Sequence, residues 1–245
     1  MTNRPTLHFG RLAALVGIVA ASLFWWDARP LLPFKLLAVM GHETGHALSS
    51  LLVGGSVQKV TLSVDQSGAC LSSIPDGFFP KVLVYSGGYV GSAIIAVLLL
   101  ALTFRFSAGR WMLGLASVWL AVMGLVYARD VFTFGFCAGF AVLFAAGARW
   151  LPRDAVDAVN VFIAVFTGLY AALDLRDDLW NGAVRVHSDA QLLADLTIVP
   201  AIVWAALWTM LSLAILAVGA WQAVQTRPTR PAPLEVAESL RRRSR

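Results

Sequence analysis

Charged residues are scarce in this sequence. Asp, Glu, Lys and Arg make up 13% of its 245 residues, whereas 58% of the residues are hydrophobic. A water-soluble globule of this composition would have too few polar side chains to cover its surface. The scarcity of charge excludes an ordinary soluble domain and predicts a chain that lies in a lipid bilayer.

Cysteine is also nearly absent. Cys70 and Cys137 are the two cysteines, and they fall in a loop and in a later apolar run. Two residues so placed exclude a disulfide framework and give no sign of a metal site built from thiolates. We expect both to be packing residues.

Apolar runs dominate the rest of the chain. They predict seven helices, at residues 11–26, 33–53, 79–104, 109–128, 131–148, 154–173 and 198–222. No small-residue cleavage site follows the first run, so we expect it to be retained as a span. Between the second and third runs, Val57 to Val64 and Ala69 to Ile74 predict two strands joined by a turn at Gln66-Ser67-Gly68. The predicted fold is an all-α polytopic membrane protein of about seven helices with a small β-hairpin.

One transmembrane domain is expected over residues 1–226, followed by a basic, disordered tail at 227–245. The formal net charge of +5 comes largely from arginines at the ends of spans and in this tail. Such a distribution suits an anionic membrane face better than nucleic acid, for which the sequence has no motif. Seven crossings would place the two chain ends on opposite sides, with the tail in the cytoplasm by the positive-inside rule.

The second predicted helix contains the sequence His42-Glu43-Thr44-Gly45-His46. His42 and His46 are one helical turn apart, so both imidazoles project from one face and can bind the same zinc ion. Zinc lowers the pKa of a bound water from about 15.7 toward 7, and the adjacent Glu43 can take the proton of that water. The alternative is a pair of packed core histidines beside a stray glutamate. Glu43 argues against it, because a charge at mid-bilayer costs at least about 2.5 kcal/mol and marks a functional residue.

A tetrahedral catalytic zinc site needs a third protein ligand. His8 lies in the amino-terminal tail and His187 in a polar loop, so both are poor candidates. Asp174 closes an apolar helix, and Asp177 and Asp178 follow it within a turn. Any of these three aspartates could reach back to the metal.

Two further aspartates have simpler expected roles. Asp189 precedes the next predicted helix, where its expected role is that of an N-cap, although it is also a candidate ligand. Asp130 follows Arg129 at the end of the fourth helix, which is most simply explained by an interfacial ion pair, although Asp130 too is a candidate third ligand.

The ordered set of motifs resembles the site-2 protease class of intramembrane zinc metalloproteases, and most closely its short bacterial, fungal and plant branch. The matching segments are His42 to Ala47, Gly54-Gly55, Gly88-Tyr89-Val90-Gly91-Ser92, Asp174 to Asp178, and Ser188-Asp189-Ala190. The resemblance implies hydrolysis of a peptide bond of a membrane-anchored protein substrate, in a multi-pass protein of a bacterial cytoplasmic membrane.

The resemblance also implies the site residues. His42 and His46 would be zinc ligands, Glu43 the general base, and an aspartate the third ligand. Typical members carry that aspartate in an LDG motif two helices after the histidines, whereas Leu173-Asp174 is followed by Leu175 and lies four helices later. Asp174 is therefore the first candidate and Asp178 the second.

Two features near the histidines have more than one interpretation. Gly87, Gly88 and Gly91 would allow close packing of the third helix against another backbone, which is favoured over a direct part in catalysis. The hairpin at Val57 to Ile74 could add a substrate strand to an open edge, or it could be a plain connecting ribbon.

Two other functions remain open. His42, His46 and the aspartates could line the pathway of a divalent-metal transporter or sensor, or the chain could be a catalytically idle membrane scaffold. Glu43 distinguishes the first from a protease, because a transport site has no need of a general base.

Overall fold

The protein is mainly helical, and seven of its eight described helices correspond to the predicted ones; the short helix Asp189–Leu196 was not predicted. The structure, a computed structural model, describes residues 6–7, 9–180 and 188–226, of which a few stretches, including residues 171–172 and 174–180, are described by their backbone alone. The helices are α1 (Phe9–Phe24), α2 (Leu32–Leu52), α3 (Phe78–Phe106), α4 (Gly109–Val122), α5 (Val131–Trp150), α6 (Arg153–Trp180), α7 (Asp189–Leu196) and α8 (Ala201–Val224). A π-helical turn, Met123–Tyr127, extends α4, and a 3-10 turn, Arg29–Leu31, precedes α2. The predicted tail at 227–245 lies outside the described residues.

Several of these helices are long and apolar enough to cross a membrane. In the described part of the chain they are α3, α4 with its π turn, α5 and α8, with a fifth if α1 and α2, which meet at a bend of 119°, form one span. The predicted count of seven spans is not confirmed, since α6 carries charged residues near both of its ends. Apolar side chains on the outside of the bundle, among them Leu98, Val142 and Met210, are more than half exposed. Such a surface fits an integral membrane protein.

The two described ends of the chain meet. Strand β1 (Thr6–Leu7) pairs in antiparallel fashion with β4 (Gln225–Thr226), so that Thr6 lies opposite Thr226. The prediction that the chain ends lie on opposite sides is therefore wrong. The prediction failed because it counted α1 and α2 as two crossings. Helix α1 begins beside the end of α3, where Arg11 covers the ring of Phe104 at 4.7 Å. Helix α2 ends at the hairpin that leads into the start of α3, so α1 and α2 together cross the bundle once.

The predicted hairpin is present as β2 (Ser56–Leu62) and β3 (Gly68–Ser73). The turn contains Gln66 at a φ of 73°, a left-handed conformation that few residue types adopt readily. The outer edge of β2 is already occupied, because Val60 forms a bridge with Ala128 in the α4–α5 connection. Tyr170 of α6 also donates a hydrogen bond to the carbonyl of Gln66, at 3.3 Å. The hairpin is thus fixed to the bundle.

Asp130 and Thr133 fix β2 to α5. Asp130 is the N-cap of α5, and its carboxylate accepts hydrogen bonds from the Thr133 amide at 2.8 Å and hydroxyl at 2.7 Å. The same hydroxyl accepts from the amide of Leu62 at 2.8 Å. No ion pair joins Asp130 to Arg129 among the described residues, and Arg129 donates instead to the carbonyl of Ala128. The expected ion pair is replaced by a helix cap.

Removing the Thr133 hydroxyl should loosen the hairpin. Thr133 is fully buried, so Thr133→Val leaves the Leu62 amide and the Asp130 carboxylate without this partner, at a cost of about 1–3 kcal/mol. We expect a lower melting temperature in detergent and faster hydrogen exchange at Leu62. Thr133→Ser, which keeps the hydroxyl, is the matched control; equal behaviour of the two variants would show that the hydroxyl has no such role.

Candidate metal centre

The two histidines of α2 converge as their spacing predicts. Their rings are 4.7 Å apart between centroids, and the two Nε2 atoms are 2.9 Å apart. The Nδ1 atom of His46 lies 2.7 Å from the carbonyl oxygen of Val84 on α3. Because a carbonyl can only accept, Nδ1 carries a proton and donates it, so in the neutral imidazole the lone pair lies on Nε2, on the side of His42. This is the arrangement that a ligating histidine needs.

Asp189 completes the group. Its Oδ2 atom lies 3.1 Å from Nε2 of His42 and 3.0 Å from Nε2 of His46. Ser188, not Asp189, is the N-cap of α7, since the Ser188 hydroxyl accepts a hydrogen bond from the amide of Gln191. The prediction of an N-cap role for Asp189 is therefore wrong. With the cap supplied by its neighbour, the Asp189 carboxylate points to the histidines.

These three ligand atoms fit a small divalent cation. Tetrahedral zinc with ligands at about 2.0–2.1 Å holds them roughly 3.3 Å apart, close to the separations of 2.9–3.1 Å in the structure. Two imidazole nitrogens and one carboxylate oxygen are also the kinds of ligand that zinc accepts. Among the described residues, they form one group of His, Cys, Asp or Glu able to hold a metal ion.

Glu43 faces a cavity of about 910 Å³ that also reaches His42, His46 and Asp189. Glu43 is buried, and its carboxylate lies against Gly68, the first residue of β3. Residues 68–72 of β3 line the cavity, together with the exposed Asp65 and Ser67 of the hairpin turn. A water or an extended peptide therefore has room beside both the carboxylate and the candidate metal ligands.

Cys70 and Cys137 are free thiols that pack in or against the main hydrophobic cluster, as predicted. Burial, together with the negative charge of Glu43, raises the pKa of Cys70 to about 12. Cys70 therefore stays protonated on the cavity wall, and a thiol in that state is a poor metal ligand.

Close packing of α2 against α3 brings the site together. A Cβ atom on Gly45 would overlap the carbonyl of Gly87, and a Cβ atom on Gly91 would lie 3.0 Å from the Cα atom of Gly45. This confirms the packing role predicted for the glycines of α3. Gly88 has an additional role, because a Cβ there would lie against the ring nitrogens of His42 and His46.

An aromatic layer supports His42 from the other side. The ring of Tyr89 meets the His42 ring edge to face at 4.5 Å between centroids and stacks on Trp208 of α8 at 5.2 Å. Ala190, next to Asp189, belongs to the same buried cluster. The motifs around Gly88-Tyr89 and Ser188-Asp189 are thus neighbours in space, which their separation in the sequence did not indicate.

Asp174 and Asp178, the first and second candidates for the third ligand, lie on α6 together with Asp177, but their side chains are outside the described residues. His8 and His187 are outside them as well. Of the candidate aspartates whose side chains the structure describes, Asp189 is the one that lies beside the histidines. The adjacent Ser188 was the available signal, because a serine is as good a helix cap as an aspartate and frees its neighbour for another role.

Comparison with known proteins identifies one family. A family model described as Peptidase M50B-like matches residues 15–219, which includes α2, the hairpin and Asp189. No curated protein and no solved structure matches the chain significantly.

The space beside Gly88 gives a direct test of the candidate centre. In Gly88→Ala the new methyl group would meet Nε2 of His46 at 2.6 Å, so the imidazoles must move apart and divalent-metal content should fall. Elemental analysis of detergent-purified protein measures this content. Gly139→Ala on α5 is the matched control, because a Cβ there has no neighbour within 4 Å. Equal metal content in both variants would contradict a metal centre at this position.

Proposed function

Since this chain belongs to the Peptidase M50B-like family, of the site-2-protease class, we propose that it is an intramembrane zinc metalloprotease that hydrolyses a peptide bond of a membrane-anchored protein. The observation that carries the proposal is the convergence of His42, His46 and Asp189 within about 3 Å, beside Glu43. The predicted resemblance to this class is confirmed by the family match, whereas the activity and the roles of the residues are our proposal.

His42, His46 and Asp189 are the proposed zinc ligands. Asp189 takes the place for which the resemblance implied Asp174 first and Asp178 second, because the Asp189 carboxylate lies beside both imidazoles. A bound zinc ion would supply Lewis acidity, which polarises the scissile carbonyl and acidifies a water molecule. The hydrogen bond from His46 to Val84 would hold that imidazole in the tautomer that binds metal.

Glu43 is the proposed general base. Its carboxylate lies one residue along α2 from His42 and opens to the same cavity. It would take a proton from the attacking water and pass it to the nitrogen of the leaving amine. A side chain at position 68 would collide with the Glu43 carboxylate, so Gly68 allows the carboxylate to lie in the cavity beside the proposed ligands.

Strand β3 is the proposed docking edge for the substrate. The outer edge of β2 is occupied by Ala128, whereas β3 lines the cavity next to Glu43. An unwound substrate segment that pairs with β3 would satisfy backbone groups that lipid cannot satisfy. This favours the β-addition interpretation of the hairpin over that of a plain connection.

Zinc analysis of five proteins tests the proposed ligands and base separately. We expect about one zinc per chain in the wild type and in Glu43→Gln, and loss of zinc in His46→Ala and Asp189→Ala. Asp174→Ala is the decisive comparison, because it should retain zinc if Asp189 is the third ligand. Loss of zinc in Asp174→Ala with retention in Asp189→Ala would reverse that assignment. A folded wild type without zinc would contradict the metalloprotease.

Cleavage assays test the base. We expect Glu43→Gln to retain zinc while hydrolysis of a membrane-anchored test substrate falls by about 10²–10⁴-fold, the usual contribution of a general base. A zinc-loaded Glu43→Gln variant with wild-type turnover would show that Glu43 is not the base. Zinc-dependent metal flux without cleavage would instead favour a transporter.

A further inference from the structure

Lys35 is a buried cation that the proposed reaction does not use. It lies in α2 and is 6% exposed. Its Nζ atom lies over the ring of Trp26, 4.6 Å from the ring centroid. The negative face of the ring stabilises an ammonium group and holds it in place without neutralising its charge. Lysine is rarely buried to this extent, and an ionisable residue inside a membrane protein marks a functional position by default.

Lys35 begins the face of α2 that lines the cavity. The residues of this face are Lys35, Val39, His42, Glu43 and His46. Steps of three and four residues along a helix return to the same side, so these residues form one stripe. The Lys35 side chain therefore belongs to the same wall of the cavity as the candidate metal centre, at the amino-terminal end of that wall.

Strand β3 runs beside this stripe. Gly68, the first residue of β3, lies against Val39 and Glu43. Near the other end of the strand, Ser72 accepts a hydrogen bond at 2.9 Å from the hydroxyl of Ser50, two turns later in α2. The cavity is thus a groove with α2 on one side and β3 on the other. A peptide that pairs with β3 would follow the cavity-lining face of α2.

A chain of contacts places Lys35 at the turn end of the hairpin. Trp26, beneath the Lys35 ammonium, is 6.1 Å from Tyr170 between ring centroids, and Tyr170 donates its hydrogen bond to Gln66 in the turn. Glu43 follows Lys35 after eight residues of helix, which is about 12 Å along the axis. An extended peptide covers this distance in roughly four residues, at about 3.3 Å each.

The charges around the groove are otherwise negative. Asp27, Glu43, Asp65 and Asp189 line it, and Lys35 is the one lysine or arginine among the described residues that do so. Asp27 and Asp65 are exposed, so water screens their attraction to the ammonium. A groove with this pattern repels an acidic peptide along most of its length and attracts it beside Lys35. Repulsion and attraction together give specificity.

We propose that Lys35 is a specificity-determining residue, which binds a carboxylate of the substrate roughly four residues from the cleaved bond. The distance to a cleaved bond rests on the proposed proteolytic function, whereas the binding of a carboxylate in the groove does not. The carboxylate can belong to a Glu or Asp side chain or to a free carboxyl terminus. The preferred substrate is thus an unwound, apolar segment that carries one acidic group at this position.

Peptide binding tests this role without any need for catalysis. The probes are end-blocked apolar peptides with a central Glu, Gln or Lys, and fluorescence anisotropy with an uncharged dye measures their affinity for the full chain in detergent. We expect the wild type to bind the Glu peptide about tenfold more tightly than the Gln peptide, and Lys35→Met to bind both equally. Lys35→Glu should prefer the Lys peptide. Lys59→Met, which removes an exposed lysine outside the groove, is the matched control and should keep the wild-type preference.

Equal affinity of the wild type for the Glu and Gln peptides would overturn the proposal, whatever the stability of the variants. A Glu preference that persists in folded Lys35→Met would overturn it as well. Lys35→Arg keeps the charge and should keep the preference, which separates loss of charge from loss of folding. A Gln peptide with a free carboxyl terminus, compared with its amidated form, distinguishes a terminal carboxylate from a side-chain carboxylate.

Cleavage mapping separates this proposal from the proposed function. In peptides that the zinc-loaded wild type cleaves, we expect the cut roughly four residues from the Glu, and the cut should move when the Glu is moved along the peptide. A cut whose position ignores the Glu would overturn the role of Lys35. Binding that depends on Lys35 without any cleavage would count against the protease and not against the carboxylate site.

Discussion

The polar turn formed by His42, Glu43 and His46 imposes the main constraint on this structure, because it follows directly on a buried apolar stretch of α2. The preceding residues, Leu36 to Met40, are all less than 5% exposed. Ionisable groups in such surroundings need partners, since neither lipid nor a dry protein interior solvates them. The carbonyl of Val84, the carboxylate of Asp189 and the cavity beside Glu43 meet this need. Three elements that are distant in the sequence are therefore brought to one turn of α2.

The close approach of α2 and α3 makes this arrangement possible. Gly45, within the polar turn itself, removes the side chain that would separate the helices, and Gly87 and Gly88 do the same on α3. The backbone of α3 then comes near enough for a carbonyl to reach His46. On the other face of α2, Thr44 accepts a hydrogen bond from the indole of Trp119 at 3.1 Å while donating to the carbonyl of Met40. The turn is thus held from both sides, and the histidine rings have little freedom to rotate.

The sequence predicted those parts of the structure that depend on local pattern. Helix bounds follow from apolar runs, the hairpin from the turn at Gln66-Ser67-Gly68, and the paired histidines from their spacing of one helical turn. The parts that it missed depend on contacts between distant segments. Asp189 and Asp174 look alike as acidic residues beside a helix end, and only the cap formed by Ser188 and the path of α7 distinguish the role of Asp189. Likewise, hydropathy gives the length of α1 and α2 but not the bend between them, so it could not give the sides on which the chain ends lie.

The distance in sequence between His42 and Asp189 has a consequence for biosynthesis. These residues are 147 positions apart, and every helix from α3 to α6 is synthesised between the imidazole and the carboxylate. A nascent chain that has inserted only its first two helices carries both histidines and Glu43 but no complete group of ligands. The group of three ligands can therefore form only after Asp189 has been synthesised, so a shorter nascent chain in the membrane carries an incomplete metal centre.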